Sequence, residues 1–520
     1  MMSALRYSYW AALGILLVSA PICQAQQQNQ DSSQSQDQSQ SQDQTQPQDQ
    51  SQSQGQTQPQ DQSQAPIPAY RSPFGSVVGN DNSNASPQDL TPDTQPLAGA
   101  QILSLGSPEQ RSYWQLHADV SSTATSNGLG AVGGWTTYTT FLGGINLHAF
   151  ARHSNLGLSY VGGGLVSNDG GTSNGITQEL SLSETLSWQR VTVSFFNQGS
   201  YLPQTGFGYG GMGGLALPGA PTQLQPGLTP AGTILTTRGQ QLANSSFGEI
   251  NFTISPQSSF TFLGGYSLLH FFENDLLNTN NTVFQAGYNR EITRKNTIAL
   301  LYRFNAFRYS SGGQALNDNI AHVSFARRVT GRLAFQISAG PEVTFVSTPG
   351  SPASSALAVR QPHLPLQSLG TSSATSGTIV NWSLGTSLTY QLERTGLGLS
   401  YFHGVNGGSG VLAGAIGDTV TASLSRPLSR SWGSSFSAGY ARNTALAIPG
   451  FETFSQSYNY WFGRATLNHS WTRTLNLFLS YQMNYQDSNS AFCAGPTCGT
   501  NVIINSVSVG LDWLPRPNLF

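Results

Sequence analysis

Charge is scarce in this sequence. Lys, Arg, Asp and Glu make up 9 % of its 520 residues, against roughly a quarter in ordinary soluble domains, so something other than charge keeps the surface in its solvent. Long apolar runs are scarce too. After the N-terminus no stretch approaches the ~18 consecutive apolar residues that a membrane-spanning helix needs. A formal net charge of −2, with no basic stripe carrying interleaved aromatics, gives no reason to expect a nucleic-acid partner. There is no G-x-S-x-G elbow and no H-E-x-x-H, and GYGGMGG within 200–243 is followed by no Lys, so neither an enzyme nor a cofactor is expected. Cysteine is nearly absent. Cys23 falls in the leader, and the other two, Cys493 and Cys498, share the loop AFCAGPTCGT. Close spacing in an exported chain favours a disulfide, whereas a metal site would need His or Cys partners that this loop lacks.

What is abundant is glycine (57 residues) and aromatic side chains (10 %), a composition of strands and turns. Residues 1–25 have the layout of a secretory signal: Arg6, the apolar run AALGILLVSA, then small residues at Cys23-Gln24-Ala25. Residues 31–66 parse into hexads such as DSSQSQ, DQSQSQ and DQTQPQ, with almost no apolar groups, which predicts a solvated extended spacer. The span 26–110 is expected to be a disordered periplasmic arm, with QPLAGAQILSLG its only apolar part.

From about residue 111 to the end the chain alternates. Segments of strand length are joined in turn by short, mostly basic links (RHSN, SWQR, SPQS, ITRKN, RRVTGR, LERT, RPLSRSW, SWTR) and by long Gly/Ser/Asn-rich ones near 121–135, 166–175, 200–243, 270–281, 306–317, 346–377, 403–417, 441–455 and 485–501. Eight short and nine long links predict eighteen strands, with sixteen the alternative count. Trp114, Trp188, Trp432, Trp471 and Trp513 all fall at the short-link end, where amphipathic rings suit a membrane interface.

Strand faces alternate as well. In SWTRTLNLFLSYQMNY, Leu475, Leu477, Leu479, Tyr481 and Met483 form one face and Asn476, Ser480, Gln482 and Asn484 the other, Phe478 being the exception. Further apolar sets are Phe260/Phe262/Tyr266/Leu268, Ile298/Leu300/Tyr302/Phe304, Trp382/Leu384/Leu388/Tyr390, Leu397/Leu399/Tyr401 and Val507/Val509/Leu511/Trp513. The opposite faces carry hydroxyls, amides and glycine rather than Lys and Glu, which fits a lumen better than a soluble sandwich. Lipid offers an open sheet edge no partner, so closure is required. Parity points His148, Glu249, Arg303, His322 and Glu342 inward as pore-lining candidates. The same parity puts Glu184 and Arg464 on the lipid side, and a bulge at Gly463 would return Arg464 to the lumen.

In these features the chain resembles the Gram-negative outer-membrane β-barrels of porin-like size, over about 112–520 and in pattern only, together with the terminal Phe520. The resemblance implies a closed antiparallel transmembrane barrel in the outer membrane, contact with outer-membrane lipid, insertion by the barrel-assembly machinery, and a homotrimer as a common assembly. It implies passive diffusion of small hydrophilic solutes. The alternative is a plugged structural or surface-interaction barrel, blocked by 95–111 or 200–243, whose long loops bind glycans or neighbouring proteins. Pro515 and Pro517 interrupt the final LDWLPRPNLF, so either the last strand stops near Trp513 and a tail follows, or the terminal assembly signal is atypical.

Overall fold

The computed structural model describes residues 112–126, 134–168, 174–202, 240–272, 276–310, 314–348, 375–408, 412–446, 457–488 and 501–520. The leader, the arm with its hexads, most of 200–243, and Cys493 and Cys498 lie outside these residues.

The described chain folds into a closed antiparallel barrel of eighteen strands: β1 (Tyr113–Ser126), β2 (Trp135–Phe150), β3 (Ser154–Ser167), β4 (Gly175–Ser187), β5 (Val191–Leu202), β6 (Gln241–Ser255), β7 (Ser258–Phe271), β8 (Thr279–Thr293), β9 (Asn296–Tyr309), β10 (Ala315–Thr330), β11 (Leu333–Thr348), β12 (Thr375–Gln391), β13 (Gly396–Asn406), β14 (Ala415–Pro427), β15 (Trp432–Ala445), β16 (Ser457–Ser470), β17 (Leu475–Ser488) and β18 (Asn501–Trp513). Each strand pairs with its neighbours in sequence, and β1 pairs with β18 to close the ring. Eight turns of two to four residues gather at one end, the turn end, and the nine longer connections at the other, the loop end. Several strands run further toward the loop end than the alternation suggests. The link expected at 306–317, for example, shrinks to 310–314, because Phe307, Tyr309 and Leu316 are buried inside the barrel and hold the chain extended.

Closure takes an irregular step at the C-terminus. β18 ends at Trp513, which opposes Ala118, and a two-residue strand, β19 (Asn518–Leu519), resumes pairing against Trp114 and Tyr113. Residues 514–517 thus face 115–117, four positions against three, as in a bulge. Proline has no N–H for a ladder, so Pro515 and Pro517 force the break. Gln115 bridges it by donating Nε2 to the carbonyl of Pro515 at 2.6 Å. The strand therefore stops at Trp513 and the tail returns to the seam.

The period-two pattern decides which way each side chain points. The five apolar sets lie outside, exposed or half-exposed, while Ser, Thr, Asn and Gln line the inside. Phe478 points inward and is fully buried, because its ring lies over its register partner Gly510, where the wall has a notch. Phe247 over Gly265 and Phe462 over Gly439 repeat this pairing of an aromatic with a directly opposed glycine. Arg464 faces the lumen with Tyr460 and Thr466, and the β15–β16 ladder runs through Gly463 without a bulge. The expectation of a lipid-facing Arg464 came from a slipped parity, since β16 alternates from Tyr458 inward. Glu184 does face outward, three residues from the turn end of β4, where a carboxylate reaches headgroups and water.

Candidate functional site: a polar lumen under an inward-folded hairpin tip

The outer surface has two boundaries. At the turn end Trp114, Trp188, Trp432, Trp471 and Trp513 are all exposed, and Trp432 stacks on His469 at 4.3 Å. Toward the loop end, four outward tyrosines each donate to a side chain two rungs up on the next strand: Tyr302 to Asn319 at 2.7 Å, and Tyr401 to Asp418, Tyr440 to Asn459 and Tyr481 to Asn505, each at 2.9 Å. The phenol bodies stay in the apolar band while the hydroxyls reach polar groups at its rim. On β18 the band runs from Trp513 to Asn505, eight steps that span about 20 Å of height at a strand tilt of roughly 40°. Between the two rims the outward positions are Val, Leu, Ile, Phe and Tyr with few exceptions. This is the apolar belt of a barrel made for a thin membrane.

Inside, the distinctive region is the tip of the β13–β14 hairpin. The β12–β13 ladder runs only from Gln391 and Gly396 up to Leu384 and His403. Beyond that point β12 continues with β11 and β13 with β14, but no longer with each other. β13 instead bends into the lumen, across the inner faces of β12 and β11. Ser383 donates to the carbonyl of His403 at 3.2 Å, and the N–H of Val405 meets both carboxylate oxygens of Glu342 at 3.0 and 3.1 Å. Tyr309 then holds the carbonyl of Gly407 at 2.9 Å, and Gln314 that of Ala413 at 3.4 Å. The corners are made by Gly408 (φ 70°) and Gly414 (φ 86°), in a region that L-residues with a Cβ seldom enter. Val405 and Leu446 complete a buried apolar cluster with Phe307, Tyr309, Leu316 and Val346, so the tip is docked like a small core.

A charged cluster lies beneath the tip. Arg303 sits within electrostatic reach of Asp318 and Glu342. Asp318 accepts Thr344 Oγ1 at 2.9 Å and Asn305 Nδ2 at 3.4 Å, and Asn381 reaches Glu342 at 3.4 Å. His322 lies on the same inner face of β10, two residues from Ile320, which opposes both Arg303 and Glu342. Of the five candidates proposed from parity, Arg303, His322 and Glu342 come together here. Glu249 faces the lumen from β6, and His148 stacks on Tyr113 (5.6 Å) near the turn end of β2. All five point inward.

Asp318 was missed although it shares the parity of His322, because the long link drawn at 306–317 ended against it. Asp119, Glu179 and Asp512, buried on the same inner face, also went unread. The signal was available, since each occupies an inward slot flanked by Ser or Gly.

No family model matches this chain, and no curated protein matches it. Among solved structures it is similar to Pseudomonas aeruginosa OpdQ (11 % identity, 78 % of this chain and 98 % of that one, TM-score 0.38) and to the P. aeruginosa outer membrane protein OpdK (9 %, 78 % and 99 %, 0.37). It is also similar to the unliganded ferric citrate transporter FecA (7 % identity, 79 % of each chain, TM-score 0.38). The closed eighteen-strand wall, the apolar belt between two polar-aromatic rims, and the polar inner face together make this chain a closed transmembrane β-barrel.

Proposed function

We propose that the barrel is a passive channel for small hydrophilic solutes, with its turn end toward the periplasm and its loop end toward the outside. The observation that carries this reading is the composition of the inner wall. Ser, Thr, Asn and Gln recur on every face turned to the lumen, with charged groups set among them. Such a surface exchanges hydrogen bonds with a passing solute, and an eighteen-strand wall is wide enough to hold a passage. His148, Glu249, Arg303, His322 and Glu342 are the pore-lining residues in this proposal, and the β13–β14 tip is the constriction. The leader would direct export, residues 26–110 would form a periplasmic arm, Cys493 and Cys498 would bridge the last loop, and the Trp rim would sit in the inner-leaflet headgroups. Insertion by the barrel-assembly machinery and assembly as a homotrimer belong to the same proposal.

Single-channel recording of the refolded mature protein in a planar bilayer tests it, and discrete conductance steps are expected. A second reading, a closed barrel acting through its loops, is favoured by the complete burial of Glu342 and Asp318 under the tip. A protein that is folded and inserted but electrically silent would support that reading instead.

A further inference from the structure

Charge is segregated around the inner wall. From β17 through β18 and β1 to β8, the inward positions carry five carboxylates, Asp512, Asp119, Glu179, Glu249 and, near the turn end, Glu291, and two histidines, His117 and His148. Among the described residues this ten-strand arc has no inward Lys or Arg. The inward arginines at mid-strand, Arg303 and Arg464, belong to β9 and β16, outside the arc. The hairpin tip docks on that other side, against β9, β10 and β11. The tip therefore docks away from the acidic arc.

Two arrangements within the arc call for a positive partner. Asp119 and Asp512 are register partners across the closing seam, both at most 2 % exposed, and like charges directly opposed on neighbouring strands repel. Glu179 is 1 % exposed, and neither of its carboxylate oxygens has a hydrogen-bond partner among the described residues. A shielded carboxylate without a donor is costly unless a cation or a proton lies beside it. His117, two residues from Asp119 on the same inner face, likewise has both ring nitrogens without a hydrogen-bond partner among the described residues.

We propose that the acidic arc is the conducting path and that it selects for cations: monovalent metal ions, and small organic solutes bearing an ammonium group. This rests on the channel reading above and adds the sign of the solute. Carboxylates facing a low-dielectric passage attract cations and raise the barrier to anions. Arg303 lies beneath the tip, whereas Arg464, on β16, borders the arc beside Gln482 of β17 and within electrostatic reach of Tyr138, so the arc's carboxylates face a single arginine at its edge.

The test is the reversal potential of the full mature protein in a planar bilayer under a tenfold KCl gradient, for the wild type and for Glu179→Gln, Asp119→Asn and Glu249→Gln. Folding of each variant is checked by heat-dependent gel mobility, so that three separate positions guard against one that fails to fold. A potassium-to-chloride permeability ratio above about 3 is expected, falling toward 1 in the folded variants. Lysine amide added to one side should carry current, and glutamate should not. A conducting wild type with equal or anion-favouring permeability would overturn this inference while leaving the channel intact, as would ratios unchanged in all three variants. No conductance from folded protein would overturn the channel reading, and this inference with it.

Discussion

Both carboxylate oxygens of Glu342 accept the backbone N–H of Val405, at 3.0 and 3.1 Å, joining β11 to β13 across the inner face of the strand between them. This contact tethers the hairpin tip in the lumen. A hydrogen bond to a charged acceptor is worth about 1.5–3 kcal/mol, and Glu342→Ala removes it. The variant is expected to show larger or more frequent openings in single-channel records and faster protease cleavage within 404–416. Unaltered records and cleavage would mean that the apolar cluster holds the tip without the tether.

Gly408 and Gly414 set the corners of the same tip. A methyl group at Gly408 would meet the backbone at Leu412, and one at Gly414 would approach the Leu316 and Leu446 methyls at 2.7 and 2.8 Å. Each also sits at positive φ, which costs a residue with a Cβ about 1 kcal/mol. Gly408→Ala and Gly414→Ala should therefore reproduce the Glu342→Ala phenotype without changing any charge, and the same recordings separate the two causes.

The tyrosine rim fixes the depth at which the barrel sits. Val509 lies within the apolar band, while Asn505 lies at its loop-end edge. Arginine in the middle of a bilayer costs a barrel about 2–4 kcal/mol, and near an interface about 0–1. Val509→Arg should thus lower folding stability in phospholipid vesicles far more than Asn505→Arg, as read by guanidinium titration. Equal losses would displace the boundary drawn by the four tyrosines.

The seam depends on a side chain as well as on a ladder. Gln115→Leu leaves the Pro515 carbonyl without its donor, for a loss of about 1 kcal/mol. Removing 518–520 takes away the pairing of Trp114 and Tyr113 with Asn518 and Leu519. Both variants should close more slowly during refolding into detergent, in the order truncation then substitution. Heat-modifiable mobility on a gel follows that closure directly.

Much of this architecture was legible because a barrel repeats one rule. Apolar and polar positions alternate along every strand, and short and long links alternate between strands, so strand number, closure and the direction of Glu342 or Arg303 followed from counting. The features that escaped are those where two distant positions meet. HGVNGGSGVLAGAIG reads as a glycine-rich link, and nothing local reveals that Glu342, more than sixty residues earlier, captures its backbone. Phe478 looks like a fault in its strand until the register places Gly510 opposite it. Arg464 was misdirected because one slipped count inverts every side chain of a strand. The pairing of Asp119 with Asp512 needed the closure register, which joins residues almost four hundred positions apart.

The seam has one more consequence. The N–H of Phe520 donates to the carbonyl of Ser112 at 3.2 Å, so the last residue of the chain and the first described one share a rung. The wall is a cycle cut once, and the cut is narrow enough to be sealed with a few added residues. A circularly permuted version, joined from Phe520 to Ser112 and reopened at the two-residue turn between β8 and β9, would keep every neighbour relation in the ring while changing only the order in which the strands are synthesised.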